Sequence, residues 1–262
     1  DEVAPELQDK RRSLLETDGL RHRALRRMLQ GQFTPQAVAK YETFLRGITA
    51  KTLDAAIAKG SFDFVDEVSA DFPIRVLARL LDVPDSDTGR LIEWGNRMIG
   101  NTDPEHADLL ITHTMNNLLA NPEQMDILRN DPTLIPWAVE EFLRYASPVY
   151  HFRRTATRDT EFADTQIAEG DKVVVWFASG NRDDAVFDEP YRFDVTRNPN
   201  EHMSFGRGGP HMCLGNALAR IELRIMFEDL LTRDVSFERT GSVDYLRSNF
   251  VHGIKRMPVR VA

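Results

Sequence analysis

The chain has 262 residues, enough for one large domain or two small ones, and its 42% hydrophobic and 28% charged content is that of an ordinary globular protein. Its 33 basic and 41 acidic side chains give a formal charge of −8, which argues against nucleic acid or an anionic membrane as the main partner. No apolar run nears the roughly 20 residues of a membrane span and no secretory leader opens the sequence, so a cytoplasmic protein is expected. Cys213 is the only cysteine, which excludes an intrachain disulfide and a zinc site built from cysteines.

The first two-thirds of the chain read as helical. Gly19–Gln30 forms the first helix; Thr34 then caps a second, with Pro35 in its first turn, running over 36–58 and ending at Gly60. Helices are expected at Val65–Leu81 and Asp85–Ile99, separated by Val83-Pro84, and at His106–Ala120, Glu123–Arg129 and Leu134–Tyr145. Strand composition follows at Phe152–Thr157 and Lys172–Phe177, with Glu169-Gly170-Asp171 as a turn between them. A loop from Gly180 to Pro210 leads into an amphipathic helix, Leu214–Leu231, with Leu214, Leu218, Ile221 and Ile225 on one stripe. Val243–Val261 reads as short strands and turns. The fold class is therefore mainly α with a minor β component, in one domain over residues 1–262.

The chemically informative segment is Phe205-Gly206-Arg207-Gly208-Gly209-Pro210-His211-Met212-Cys213-Leu214-Gly215. Its glycines let the backbone approach a flat ligand, and a cysteine at a helix start meets free N–H groups and a positive dipole end that favour the thiolate. A soft anionic sulfur in such a loop suits an iron axial ligand, with Phe205 and Met212 able to pack on a macrocycle. Read as a phosphate loop, the glycines lack a preceding strand and a following Gly-Lys-Ser/Thr. Read as zinc, His202, His211 and Cys213 lack a fourth ligand.

This segment resembles the thiolate-haem loop of the cytochrome P450 monooxygenases. Glu141-Phe142-Leu143-Arg144 matches that family's Glu-x-x-Arg motif, and Arg192 stands where the family supplies a second arginine to the same carboxylate. The resemblance gives these three a structural role. His22 and Arg26 match the family's His-x-x-x-Arg pair on a haem propionate, and Arg154 and His211 match its other propionate donors. The segment Thr34-Pro35 and the tail from Leu246 to Arg256 are similar to bacterial members that hydroxylate steroid side chains or methyl-branched lipids.

The resemblance implies a cytochrome P450-like fold holding haem b (iron protoporphyrin IX) on Cys213, against a bed that includes Phe205, Gly206 and Gly215. It implies monooxygenation of an apolar small molecule. Electrons would come from a ferredoxin or similar donor, since no flavin or nicotinamide motif occurs. Against the family pattern the fold is incomplete. The N-terminal sheet and a segment between about residues 103 and 111 are missing, and with the latter the Ala-Gly-x-Glu/Asp-Thr stretch that relays protons to oxygen. Thr112 and Thr114 lack that context, so no catalytic residue is assigned. The alternative reading is a catalytically inactive, truncated haem-binding relative; a module without haem is a third.

Overall fold

Helices dominate the described chain up to Ala146, set by apolar residues recurring three and four positions apart. The computed structural model describes residues 13–262 apart from 71, 85, 88, 92, 94–107 and 109, so most of the expected helix Asp85–Ile99 lies outside the described residues. Helix α1, Gly19–Leu29, buries only His22. Helix α2, Pro35–Ala39, starts with Thr34 Oγ1 accepting the Ala37 N–H at 3.2 Å. The single helix expected over 36–58 is broken at Lys40-Tyr41, where Tyr41 takes φ −91° and ψ 0°. Helix α3, Glu42–Ile57, then buries Leu45, Thr49, Leu53 and Ala56 on one face. The break lets both α2 and α3 lie against the helix that follows the cysteine loop.

Strand β1, Ser61–Asp63, precedes a π-helical turn at Val65–Ser69, and α4 runs from Phe72 to Leu80. The expected continuous helix Val65–Leu81 is thus divided. Pro73 has no N–H to donate and belongs in a first helical turn, which favours a fresh start. Helix α5, Ile111–Ala120, begins later than the expected His106. Asp108 forms a β-bridge with Ile254 instead, and its carboxylate accepts the Thr112 N–H. Helices α6, Pro122–Asn130, and α7, Ile135–Ala146, follow.

Strand β2, His151–Thr155, pairs antiparallel with β5, Lys172–Trp176, and a small hairpin, β3 Thr160–Phe162 with β4 Thr165–Ile167, lies between them in sequence. Gly170 occupies the turn before β5 at φ +90°, a conformation glycine adopts without strain. The single turn α8, Phe177–Gly180, opens the long loop, and α9, Asn216–Thr232, closes it. Strands β6, Phe237–Arg239, β7, Asp244–Tyr245, β8, Ile254–Arg256, and β9, Pro258–Val261, complete the chain. They form a β1-β9-β6 sheet and a β7-β8 pair.

Helices α7 and α9 share the centre of the core. Phe142 on α7 meets Phe227 on α9 at a ring-centroid distance of 5.3 Å, and stacks on Phe193 at 6.2 Å. Each fully buried aromatic of this kind contributes about 1.5–3 kcal/mol through water exclusion. The packing fixes α7, which carries the ion pair, against α9, which carries the end of the cysteine loop.

Candidate active site: a cysteine loop stapled to a buried ion pair

Glu141 and Arg144 lie one turn apart on α7 and are both fully buried. Arg144 donates from Nε to Glu141 Oε2 at 2.7 Å and from a terminal nitrogen to Oε1 at 2.8 Å. Its remaining N–H groups donate to the carbonyls of Asn181 at 2.8 Å, Pro190 at 2.7 Å and Arg192 at 3.0 Å. The guanidinium has five N–H donors, and every one has an acceptor. Glu141 in turn accepts from the Asp194 N–H at 2.9 Å and from Asn200 Nδ2 at 3.0 Å. A charge pair removed from water is tolerable only when satisfied in this way, and here its partners are the loop that leads to the cysteine.

The structure corrects one expected contact. Arg192 does not reach Glu141; its exposed side chain pairs with Glu189 at 2.9 Å, and only its carbonyl serves the network. Arg197 takes the place instead, with Nε 3.3 Å from Glu141 Oε2. Because Arg144 draws in the backbone at Pro190 and Arg192, the loop turns the Arg192 side chain outward and curls back to present Arg197. Sequence reasoning also missed Asn181. Its Nδ2 donates to Ser147 Oγ and to Ser204 Oγ, both at 2.9 Å, and its Oδ1 accepts the Met203 N–H at 2.6 Å. This buried amide ties the end of α7 to the entrance of the cysteine loop. An Asn-Arg pair after a strand was the available signal.

The loop itself is held by its backbone. Gly206 donates to the Met203 carbonyl at 2.7 Å and Cys213 to the Phe205 carbonyl at 2.8 Å. Gly206 and Gly208 both sit at φ +71°, a conformation that a Cβ atom disfavours. Cys213 precedes α9 rather than opening it, since Gly215 is the cap and Asn216 the first helical residue. Burial therefore dominates and pushes the thiol up, against the Gly215 N–H and the Arg26 and Arg220 charges that favour the thiolate. Burial thus outweighs the expected helix-end stabilisation of the thiolate.

Cys213 opens on a cavity of about 650 Å³, within the usual size range of small-molecule sites. His22, Arg26, Arg154, Phe205, Gly206, His211 and Gly215 share its wall. The His22 and His211 rings meet at a tilt of 36° with centroids 4.2 Å apart, and His211 Nε2 lies 3.0 Å from Asp18 Oδ1. Burial, together with His211 and Arg26, lowers the His22 pKa, so its imidazole favours the neutral form. Its Nε2 is buried without a hydrogen-bond partner among the described residues. Arg26 donates to the Met212 carbonyl at 2.7 Å, and Arg154 is exposed at the rim, donating to the Arg153 carbonyl at 3.0 Å with its guanidinium 5.9 Å from the Phe152 ring centroid.

Beside the loop, Glu140 accepts both arms of Arg220, at 2.7 and 2.8 Å, and faces His202 Nε2 at 3.0 Å. Burial works to raise its pKa, but Arg220 and His202 prevail and hold it at about 2. Thr112 and Thr114 are off the cavity wall: Thr112 Oγ1 lies 2.6 Å from Ser69 Oγ, and Thr114 donates to the Leu110 carbonyl at 2.9 Å. No helix among the described residues is long and apolar enough to cross a membrane.

On α9, Glu222 is buried, and desolvation with Asp108 nearby raises its pKa to about 8. Below the ordinary carboxyl pKa of 4.5 both folded and unfolded chains hold this proton; between 4.5 and about 8 only the folded chain does. Stability therefore falls as pH rises through that window. Glu222→Gln should remove the penalty. Urea denaturation should find the variant level with the unchanged chain at pH 4.5 and more stable by on the order of 2–4 kcal/mol at pH 8; a constant difference across pH would contradict this.

A family model described as Cytochrome P450 matches residues 114–243. The methyl-branched lipid omega-hydroxylase of Mycobacterium tuberculosis is 32% identical, over 97% of this chain and 76% of that protein. The steroid C26-monooxygenase of Mycolicibacterium smegmatis is 29% identical, over 94% of this chain and 72% of that one. A solved structure of a Mycobacterium marinum cytochrome P450 in complex with pseudoionone has a TM-score of 0.86 and 30% identity, covering 99% of this chain and 80% of that one. The chain belongs to the cytochrome P450 family, and it is a P450 monooxygenase by its relatives. It is shorter than those relatives: the first alignment runs over 325 positions against 262 residues here.

The family implies haem, and the residues present fit it. A lone cysteine faces a cavity of suitable size, Gly206, Gly209 and Gly215 put no side chain into its wall, and an orphaned imidazole nitrogen with two arginines offers donors to acidic groups.

Proposed function

We propose a haem-thiolate monooxygenase whose chemistry is the insertion of one atom of O₂ into an apolar substrate of the branched-lipid or steroid type, with electrons from a separate ferredoxin-like donor, and which is poorly coupled in this chain because the proton-relay stretch is absent. The observation that carries the reading is Cys213 on the wall of the 650 Å³ cavity, amid His22, Arg26, Arg154 and His211. Cys213 would hold the iron through its sulfur, and those four side chains would neutralise the propionates. When bound there, haem would supply oxygen binding and activation, chemistry that thiolate ligation favours. Val149, Phe152, Val175 and Phe177 lend the cavity an apolar wall against which a hydrocarbon would pack.

The substrate class is supported by the names of the relatives, methyl-branched lipid and steroid hydroxylases. On this reading, residues that the relatives carry and this chain lacks fall between Asp103 and Ile111. Titrating the haem-loaded protein with a methyl-branched fatty acid or a sterol should shift its Soret band as the ligand displaces water from the cavity. A short polar carboxylate should not. A band unmoved by both lipids would overturn the substrate class.

A further inference from the structure

Arg220 is joined to the cysteine loop by two separate routes. Its guanidinium carbon lies 4.7 Å from the centroid of the Phe205 ring, and the Phe205 carbonyl accepts the Cys213 N–H at 2.8 Å. By the second route, Arg220 donates to Asn216 Oδ1 at 3.0 Å, and Asn216 Nδ2 donates to the Cys213 carbonyl at 2.7 Å. The far side of the guanidinium is gripped by Glu140, which His202 also faces. A bidentate carboxylate fixes the guanidinium plane, so the cation cannot leave the ring as a free surface arginine would. The result is an oriented charge pair, with its positive end on the loop and its negative end on α7.

We infer that Arg220 is a positioning residue for the Cys213 ligand, and that the Arg220–Glu140 pair sets the reduction potential of the site. The inference rests on the haem-thiolate reading above. One-electron reduction adds negative charge at the iron–sulfur unit. The Arg220 cation favours the reduced state and the Glu140 carboxylate opposes it. Removing each charge must therefore move the potential in opposite directions. A role limited to holding the loop would not do this, because loosening by either substitution admits water around the same sulfur and moves both variants alike.

The test is a redox titration of haem-loaded Arg220→Gln and Glu140→Gln beside the unchanged chain, with the ferrous–carbonyl spectrum of each recorded. Arg220→Gln should lower the reduction equilibrium constant, and Glu140→Gln should raise it, each by roughly three- to tenfold, tenfold being 59 mV for one electron. Should Arg220→Gln load no haem, Arg220→Lys replaces it: the ammonium keeps its charge but leaves the ring, and the potential should fall by a smaller amount. Shifts of the same sign, or none, in variants that retain the thiolate spectrum would overturn the inference alone. An unchanged chain lacking that spectrum would instead overturn the underlying reading, and the inference with it.

Discussion

Replacing Arg144 by alanine should leave no soluble, haem-loaded protein. The substitution strands Glu141 as a buried charge, which costs about 3–5 kcal/mol. It also orphans the carbonyls of Asn181, Pro190 and Arg192, each worth about 1–3 kcal/mol when buried unpaired. Against a typical total of ~5–15 kcal/mol, the folded state does not survive. Glu141→Ala should fail similarly, because Arg144, Asp194 and Asn200 all lose their acceptor. By contrast Arg192→Ala should fold and load haem normally, since its exposed side chain pairs with the likewise exposed Glu189 and not with Glu141. Expression yield, far-UV circular dichroism and Soret absorbance of the three variants check this. A folded, haem-loaded Arg144→Ala protein would contradict the structural role.

Supplied with haem and electrons, the 262-residue chain should release most reduced oxygen as hydrogen peroxide and form little hydroxylated product. Oxygen cleavage needs protons at a defined place, and positioned acid–base groups are worth about 10²–10⁴-fold. The sequence has no Ala-Gly-x-Glu/Asp-Thr stretch, and the hydroxyls of Thr112 and Thr114 are engaged away from the cavity. The ratio of product to electrons consumed measures the effect. Grafting the corresponding stretch of a relative between Asp103 and Ile111 should restore coupling toward one product per electron pair. Tight coupling in the short chain would show that another group carries the relay.

What was legible in the sequence follows the range of the forces involved. Helices such as α7 and α9 are set by apolar spacing within the segment, and their limits were found to within two residues. The Glu141–Arg144 pair was legible for the same reason, since i and i+3 share a helix face. Arg197 was not, because its approach to Glu141 depends on where Arg144 pulls the carbonyls of a loop some 46–48 residues away. Strands β1, β3, β4 and β6 span three residues each, too few for a period-two pattern to show. The cysteine loop stood out because its glycines answer a backbone need, the positive φ of Gly206 and Gly208. Asn181, Glu140 and Arg220 did not, being polar residues whose partners are distant in sequence.

The central claim is that Cys213 carries the haem iron, and the ferrous–carbonyl absorption spectrum tests it most directly. The unchanged chain, loaded with haem and reduced under carbon monoxide, should show the red-shifted Soret band of a trans thiolate. Cys213→His should move that band to the position of histidine-ligated haem proteins. The same spectrum in both proteins would mean that another residue holds the iron.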